Sequence, residues 1–132
     1  METDGVLRVR RIVCAVDCGI VVNPSGVEAQ VQGSVMFGLA AALHQEITVE
    51  RGAVVQGSFD DFPLLRIGEA PAVDVHLVGG GGDFGEASGP PLGAGEMAVP
   101  PVAPALTNAI FAASGLRLRR LPLRLDGIVV GE

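Results

Sequence analysis

The chain has 132 residues, nine Lys or Arg against fifteen Asp or Glu, and a net charge of −6. That length fits one domain or part of one, and the acidic balance argues against nucleic-acid binding, which needs clustered cations. Hydrophobic residues make up 48%, with five Phe and no Trp or Tyr, so the core must be built from Val, Leu, Ala and Ile.

The N-terminus, METDGVLRVRR, has no apolar stretch behind its charges, so no secretory signal is expected there. Val6 to Val16 alternates and then turns continuously apolar, which predicts a strand entering a core, with Asp17-Cys18-Gly19 as its bend. Cys14 and Cys18 lie four residues apart, roughly 13 Å in a strand. At that spacing they neither pair nor share a metal, and they read as small apolar side chains. No iron–sulfur pattern is present, since that needs about four closely spaced cysteines.

Asn23-Pro24-Ser25 is a helix start. Val27, Val31, Val35, Leu39 and Leu43 then recur every four residues, predicting a helix from Ser25 to about Gln45. Gly33 and Gly38 each lower helix propensity by up to about 1 kcal/mol relative to Ala. Their presence points to close approach by a neighbouring backbone or ligand. The apolar run Ser34 to Leu43 is shorter than the ~20 residues of a membrane span.

Ile47–Val49 and Ala53–Gln56 flank Glu50-Arg51-Gly52 and read as a hairpin, with Asp60-Asp61 in a solvated turn. Val73–Val78 alternates as a half-buried strand. Gly79–Gly82 is a loop without the strand and helix context of a dinucleotide fold. A second helix is predicted from about Val102 to Ser114, stopped by Gly115. Leu116–Leu125 alternates as an edge strand, marked by Pro122. His44 and His76 are lone histidines with structural or surface roles. With no repeat and no internal boundary, residues 1–132 read as one α+β unit with a mixed sheet and two main helices.

Between Gly89 and Thr107 the only charged residue is Glu96, in Gly93-Ala94-Gly95-Glu96. Apolar surroundings desolvate a carboxylate and raise its basicity, as a general base requires. Adjacent glycines let a ligand approach the backbone. A Gly- and Pro-rich surface turn would carry the same residues, and the local sequence leaves both readings open.

Five segments decide more together: DCGIVVNP (17–24), EAQVQGSVMFGLAAALHQE (28–46), FDDFPLLR (59–66), GAGE (93–96) and VPPVAPALTNAIFAASGLRLRRLPL (99–123). With these, the chain resembles the C-terminal part of the molybdenum-binding large, or beta, subunit of the xanthine dehydrogenase/aldehyde oxidase family. It looks most like the bacterial isoquinoline 1-oxidoreductase beta-subunit type. The resemblance implies part of a molybdopterin-binding domain in a molybdenum hydroxylase that oxidises aldehydes or N-heterocycles with water-derived oxygen.

Glu96 matches the family's catalytic glutamate, which takes the proton from a metal-bound hydroxyl. Gln30 matches the position that contacts the molybdenum–pterin dinucleotide cofactor, with Gln32 one register away. Gly33, Gly93 and Gly95 would be cofactor-adjacent. None of these residues is implied as a metal ligand. The cofactor would be shared with the remaining molybdenum-subunit segments, and an iron–sulfur subunit would be a partner. The isolated chain is therefore expected to be inactive. Two departures stand beside the glutamate: Met97 where the subgroup usually has Pro, and a longer, glycine-richer stretch over Gly79–Pro91. The competing reading is a non-catalytic assembly module that keeps the scaffold.

Overall fold

The computed structural model describes residues 6–78, 90–123 and 129–130. In chain order it has β1 (Val6–Leu7), β2 (Arg11–Val16), α1 (Pro24–Leu43), β3 (Val49–Glu50), β4 (Ala53–Val54), a 3₁₀ turn (Ile67–Glu69), β5 (Ala72–Leu77), α2 (Val99–Ser114) and β6 (Val129–Val130). Helices and strands mix as the α+β reading expects. Among the described residues the strands form three two-stranded ladders.

α1 begins where its sequence dictates. The Asn23 side chain accepts the Gly26 N–H at 3.2 Å, and Pro24 takes a first-turn position whose N–H has no helical partner. The every-fourth-residue stripe becomes the core: Val31, Val35 and Leu39 are 0% exposed. Complete burial of such side chains contributes about 1.5–3 kcal/mol each.

β2 pairs in parallel with β5, from Arg11 opposite Ala72 to Val16 opposite Leu77. Parallel neighbours need a long crossover, and α1 lies within it, packed on both β5 and α2. Gly38 sets the approach of the two helices. A Cβ there would lie 3.0 Å from Val102 and from the Val99 carbonyl oxygen. The β3–β4 hairpin turns through Arg51 (φ 51) and Gly52 (φ 82), the paired left-handed geometry that suits a two-residue loop.

α2 starts at Val99, three residues before the expected Val102. Pro100 and Pro101 fall in the first turn, where no N–H would have a helical acceptor, so they do not delay the helix. Gly115 ends it at φ 76, its N–H on the Phe111 carbonyl at 2.8 Å. The buried face of α2 is Val102, Leu106 and Ile110.

The expected edge strand over Leu116–Leu125 is not formed across residues 116–123. Leu118 and Leu123 pack on the core, and the Leu123 N–H donates to the Ala42 carbonyl of α1 at 2.7 Å. Leu116 and Leu121 are exposed, so the alternation does not mark one continuously buried face, and residues 116–123 pair with no strand among the described residues. Arg117 lies over the Phe111 ring, 3.4 Å from its centroid. Residues 124–125 and the Gly79–Gly82 loop lie outside the described residues. Among those described, no helix is long and apolar enough to cross a membrane.

Candidate functional site

One face of α1 meets the segment entering α2. Gln30, Gly33, Ser34 and Phe37 share that face by helical spacing. With Gly95, Glu96, Val99 and Pro100 they line a cleft of about 460 Å³. The fold thus brings Gln30, Gly33, Gly95 and Glu96 together across more than sixty residues of sequence. Gly93 is exposed, does not line the cleft, and has nothing within 4 Å of where a Cβ would stand. Gln32 is exposed and also lies off the cleft lining.

The loop carrying Glu96 is tied down along its length. The Leu92 N–H donates to the Cys18 carbonyl at 2.9 Å. Upstream, the chain crosses Gly19, which has φ 68 and would place a Cβ 2.3 Å from the Pro90 carbonyl oxygen. Only glycine fits both that conformation and that contact. The Ser34 hydroxyl donates to the Gly95 carbonyl at 2.7 Å, and the Val99 N–H donates to the Glu96 carbonyl at 2.9 Å.

The expectation of a desolvated Glu96 is corrected. Glu96 is exposed on the cleft. The apolar character of its segment has another cause: Ala98, Val102 and Leu106 turn into the core as α2 begins. That leaves Glu96 on the outer side, without an apolar enclosure from this chain's own residues.

Four cleft residues went unmarked as site residues in the sequence: Val99 and Pro100 at the start of α2, and Ser34 and Phe37 on α1. Ser34 is 4% exposed and Phe37 is 60% exposed. Both follow from Gln30 by steps of four and seven along the helix, a signal hidden by the apolar run around them.

A second, larger cavity of about 540 Å³ lies between β2 and α2. Its walls include Val9, Ile12, Val16, Met97, Pro101 and Ala105, and none of the expected site residues. The smaller cleft sets an amide, a hydroxyl and a carboxylate beside Gly33 and Gly95, whereas the larger cavity has Arg11 and Asp17 in a mostly apolar wall without glycine. Cys14 borders the larger cavity, and burial pushes its thiol pKa up. His44 Nε2 stands 3.4 Å from Glu69 Oε1, pairing the end of α1 with the 3₁₀ turn, and neither residue lines the cleft. No group of three or more His, Cys, Asp or Glu among the described residues could hold a metal ion.

Residues 2–71 match the model of the molybdopterin cofactor-binding domain. The chain belongs to that family. The chain is 35% identical over 94% of its length to a nicotinate dehydrogenase subunit from Pseudomonas putida, of which it spans 10%. It is 34% identical over 93% of its length to the beta chain of isoquinoline 1-oxidoreductase from Brevundimonas diminuta, of which it spans 15%. Its fold matches the copper- and molybdenum-containing carbon monoxide dehydrogenase in the carbon monoxide-reduced state. The TM-score is 0.68 at 30% identity, over 85% of this chain and 14% of that one. These similarities place the domain with the molybdenum-binding subunits of the xanthine dehydrogenase/aldehyde oxidase family.

Proposed function

We propose that this chain forms one wall of the active site of a molybdenum hydroxylase, with Glu96 as general base. The substrates are aldehydes or N-heterocycles, and the incoming oxygen derives from water. The observation that carries the reading is the convergence of Glu96, Gln30 and Gly33 on one cleft.

The residues present fit one edge of a pterin cofactor. Gly33 lines the cleft, and a Cβ built there meets nothing within 4 Å, so the absent side chain leaves room for a ligand. Gly95 lies opposite, and a Cβ there would come 3.8 Å from Gln30 Oε1. The Gln30 amide offers both donor and acceptor to a heteroaromatic edge or phosphate. Gln30 would therefore hold the cofactor, in its dinucleotide form, with Gly33 and Gly95 giving it close backbone approach.

When bound, the molybdenum cofactor supplies a Lewis acid and an acceptor for two electrons. The Glu96 carboxylate takes up the proton lost as a water-derived oxygen becomes nucleophilic, and the exposed cleft lets that proton leave afterwards. The other walls come from the remaining molybdenum-subunit segments. Electrons pass on to an iron–sulfur subunit.

The test is Glu96→Gln in the assembled enzyme, with metal content and turnover measured on the same preparation. Gln keeps the shape and removes the base. Turnover per molybdenum should fall about 10²–10⁴-fold, with molybdenum content near that of the parent. A variant that keeps most of its rate per molybdenum overturns the assignment.

A further inference from the structure

We propose that Ser34 is a positioning residue for Glu96, an inference that rests on the reading of Glu96 as base. Ser34 is a buried polar side chain of the core, 4% exposed, and its hydroxyl bonds off its own helix. It crosses 61 residues of sequence to donate to the Gly95 carbonyl at 2.7 Å. That carbonyl belongs to the peptide unit that carries the Glu96 nitrogen. On the other side of Glu96, its own carbonyl accepts the Val99 N–H at 2.9 Å. Both peptide units flanking the Glu96 α-carbon are therefore pinned, one to α1 by Ser34 and one to the first turn of α2.

The pin matters because of where Glu96 sits. Its side chain is exposed, and neither Gly95 nor Gly93 brings a side chain to anchor the approach. Glycines leave the backbone many conformations. A carboxylate on such a loop would sample many positions, and misplacement by about 1 Å can cost on the order of 10²-fold in rate. Helical serines commonly bond to a carbonyl one turn back. Here the hydroxyl is spent on the loop, and its helix neighbours Gln30, Gly33 and Phe37 line the cleft above it.

The experiment compares Ser34→Ala and Ser34→Thr in the assembled enzyme and in the chain itself. Alanine fills the buried site without overpacking and deletes the donor. We expect turnover per molybdenum to fall about tenfold, the scale of one lost buried hydrogen bond, with KM and molybdenum content within about twofold. Amide hydrogen exchange over residues 93–98 should accelerate in the chain without cofactor. Threonine retains the hydroxyl and should restore both turnover and protection.

Unchanged turnover in Ser34→Ala overturns the proposal, whether or not exchange accelerates. A fall in molybdenum content that accounts for the whole loss also overturns it, because Ser34 would then serve cofactor retention. If Ser34→Ala does not fold, threonine decides: turnover near the parent with normal protection supports the pin, and a tenfold loss with normal protection sinks it. Failure of the base assignment is read separately, from Glu96→Gln keeping its rate.

Discussion

Two cavities flank the start of α2, of about 460 and 540 Å³, and their walls differ in kind. The smaller has an amide, a hydroxyl and a carboxylate set among glycines. The larger is walled mostly by Val, Ala, Pro and Met along β2 and α2. Similar volume with such different linings shows that size does not mark a site. A cofactor with polar edges needs hydrogen-bonding partners and close backbone approach, and only the α1 cleft offers both. The apolar cavity is the kind of surface that another apolar element fills.

The strongest way to break this comparison is to remove one charge from each cavity. Glu96→Gln in the cleft should cost about 10²–10⁴-fold in turnover per molybdenum. Arg11→Gln at the rim of the other cavity should leave it within about twofold. Arg11 is ion-paired with Asp74 across the β2–β5 ladder, and the pair is largely exposed. Such pairs contribute about 0–1 kcal/mol to stability. Equal losses in the two variants, measured by metal analysis and steady-state assay, would erase the distinction between the cavities.

Part of the cleft was legible in the sequence. Helical spacing is a strong signal, so the α1 stripe of Val31, Val35 and Leu39 follows directly, whereas Gln30 was reached through the family resemblance. The chemistry around Glu96 was read in the wrong sense. A run of Pro, Ala and Val near a lone carboxylate looks like a pocket wall, yet those side chains belong to the buried face of α2. Composition alone does not say which way a helix turns its apolar side. The Leu116–Leu123 stretch failed similarly: its leucines alternate, yet Leu118 and Leu123 reach the core while Leu116 and Leu121 are exposed, and alternation alone does not supply a neighbouring strand. Helical spacing from Gln30 places Ser34 on the cleft face, but its bond could not be read from sequence, because its partner is a backbone carbonyl 61 positions away.

A subtler pair of substitutions sharpens the contrast within α1 itself. Gly38→Ala and Gly33→Ala are the same chemical change five residues apart. At Gly38 the new methyl meets Val102 and the Val99 carbonyl at 3.0 Å, so α2 must shift. Overpacking of this kind costs about 1–3 kcal/mol, more than the roughly 1 kcal/mol that helix propensity returns. At Gly33 the methyl meets nothing, so the chain should gain up to about 1 kcal/mol. In the assembled enzyme, Gly33→Ala should nonetheless lower molybdenum content, because the methyl intrudes on the cleft. Opposite shifts in denaturation midpoint at constant slope are the expected result. A stabilising Gly38→Ala would mean that the two helices are not in close contact there.

The smallest effect is a titration in the apolar cavity. Cys14 lines it, and burial raises its thiol pKa. The sign follows from the charged form: desolvation disfavours the thiolate, so the folded state holds the proton to higher pH than the unfolded chain does. The thiolate is the reactive species. Alkylation of Cys14 in the folded chain should therefore be slower near neutral pH than that of the unfolded chain, and should accelerate only as pH rises beyond the ordinary thiol range. The stability that accompanies the raised pKa is present below the unfolded thiol's pKa and is lost as pH climbs through the folded one. Cys18, 2% exposed and beyond the end of β2, serves as the internal control and should react only on unfolding. If Cys14 alkylates at neutral pH as fast as an unfolded thiol, the β2–α2 cavity is open to water, and its contrast with the α1 cleft must rest on lining chemistry alone.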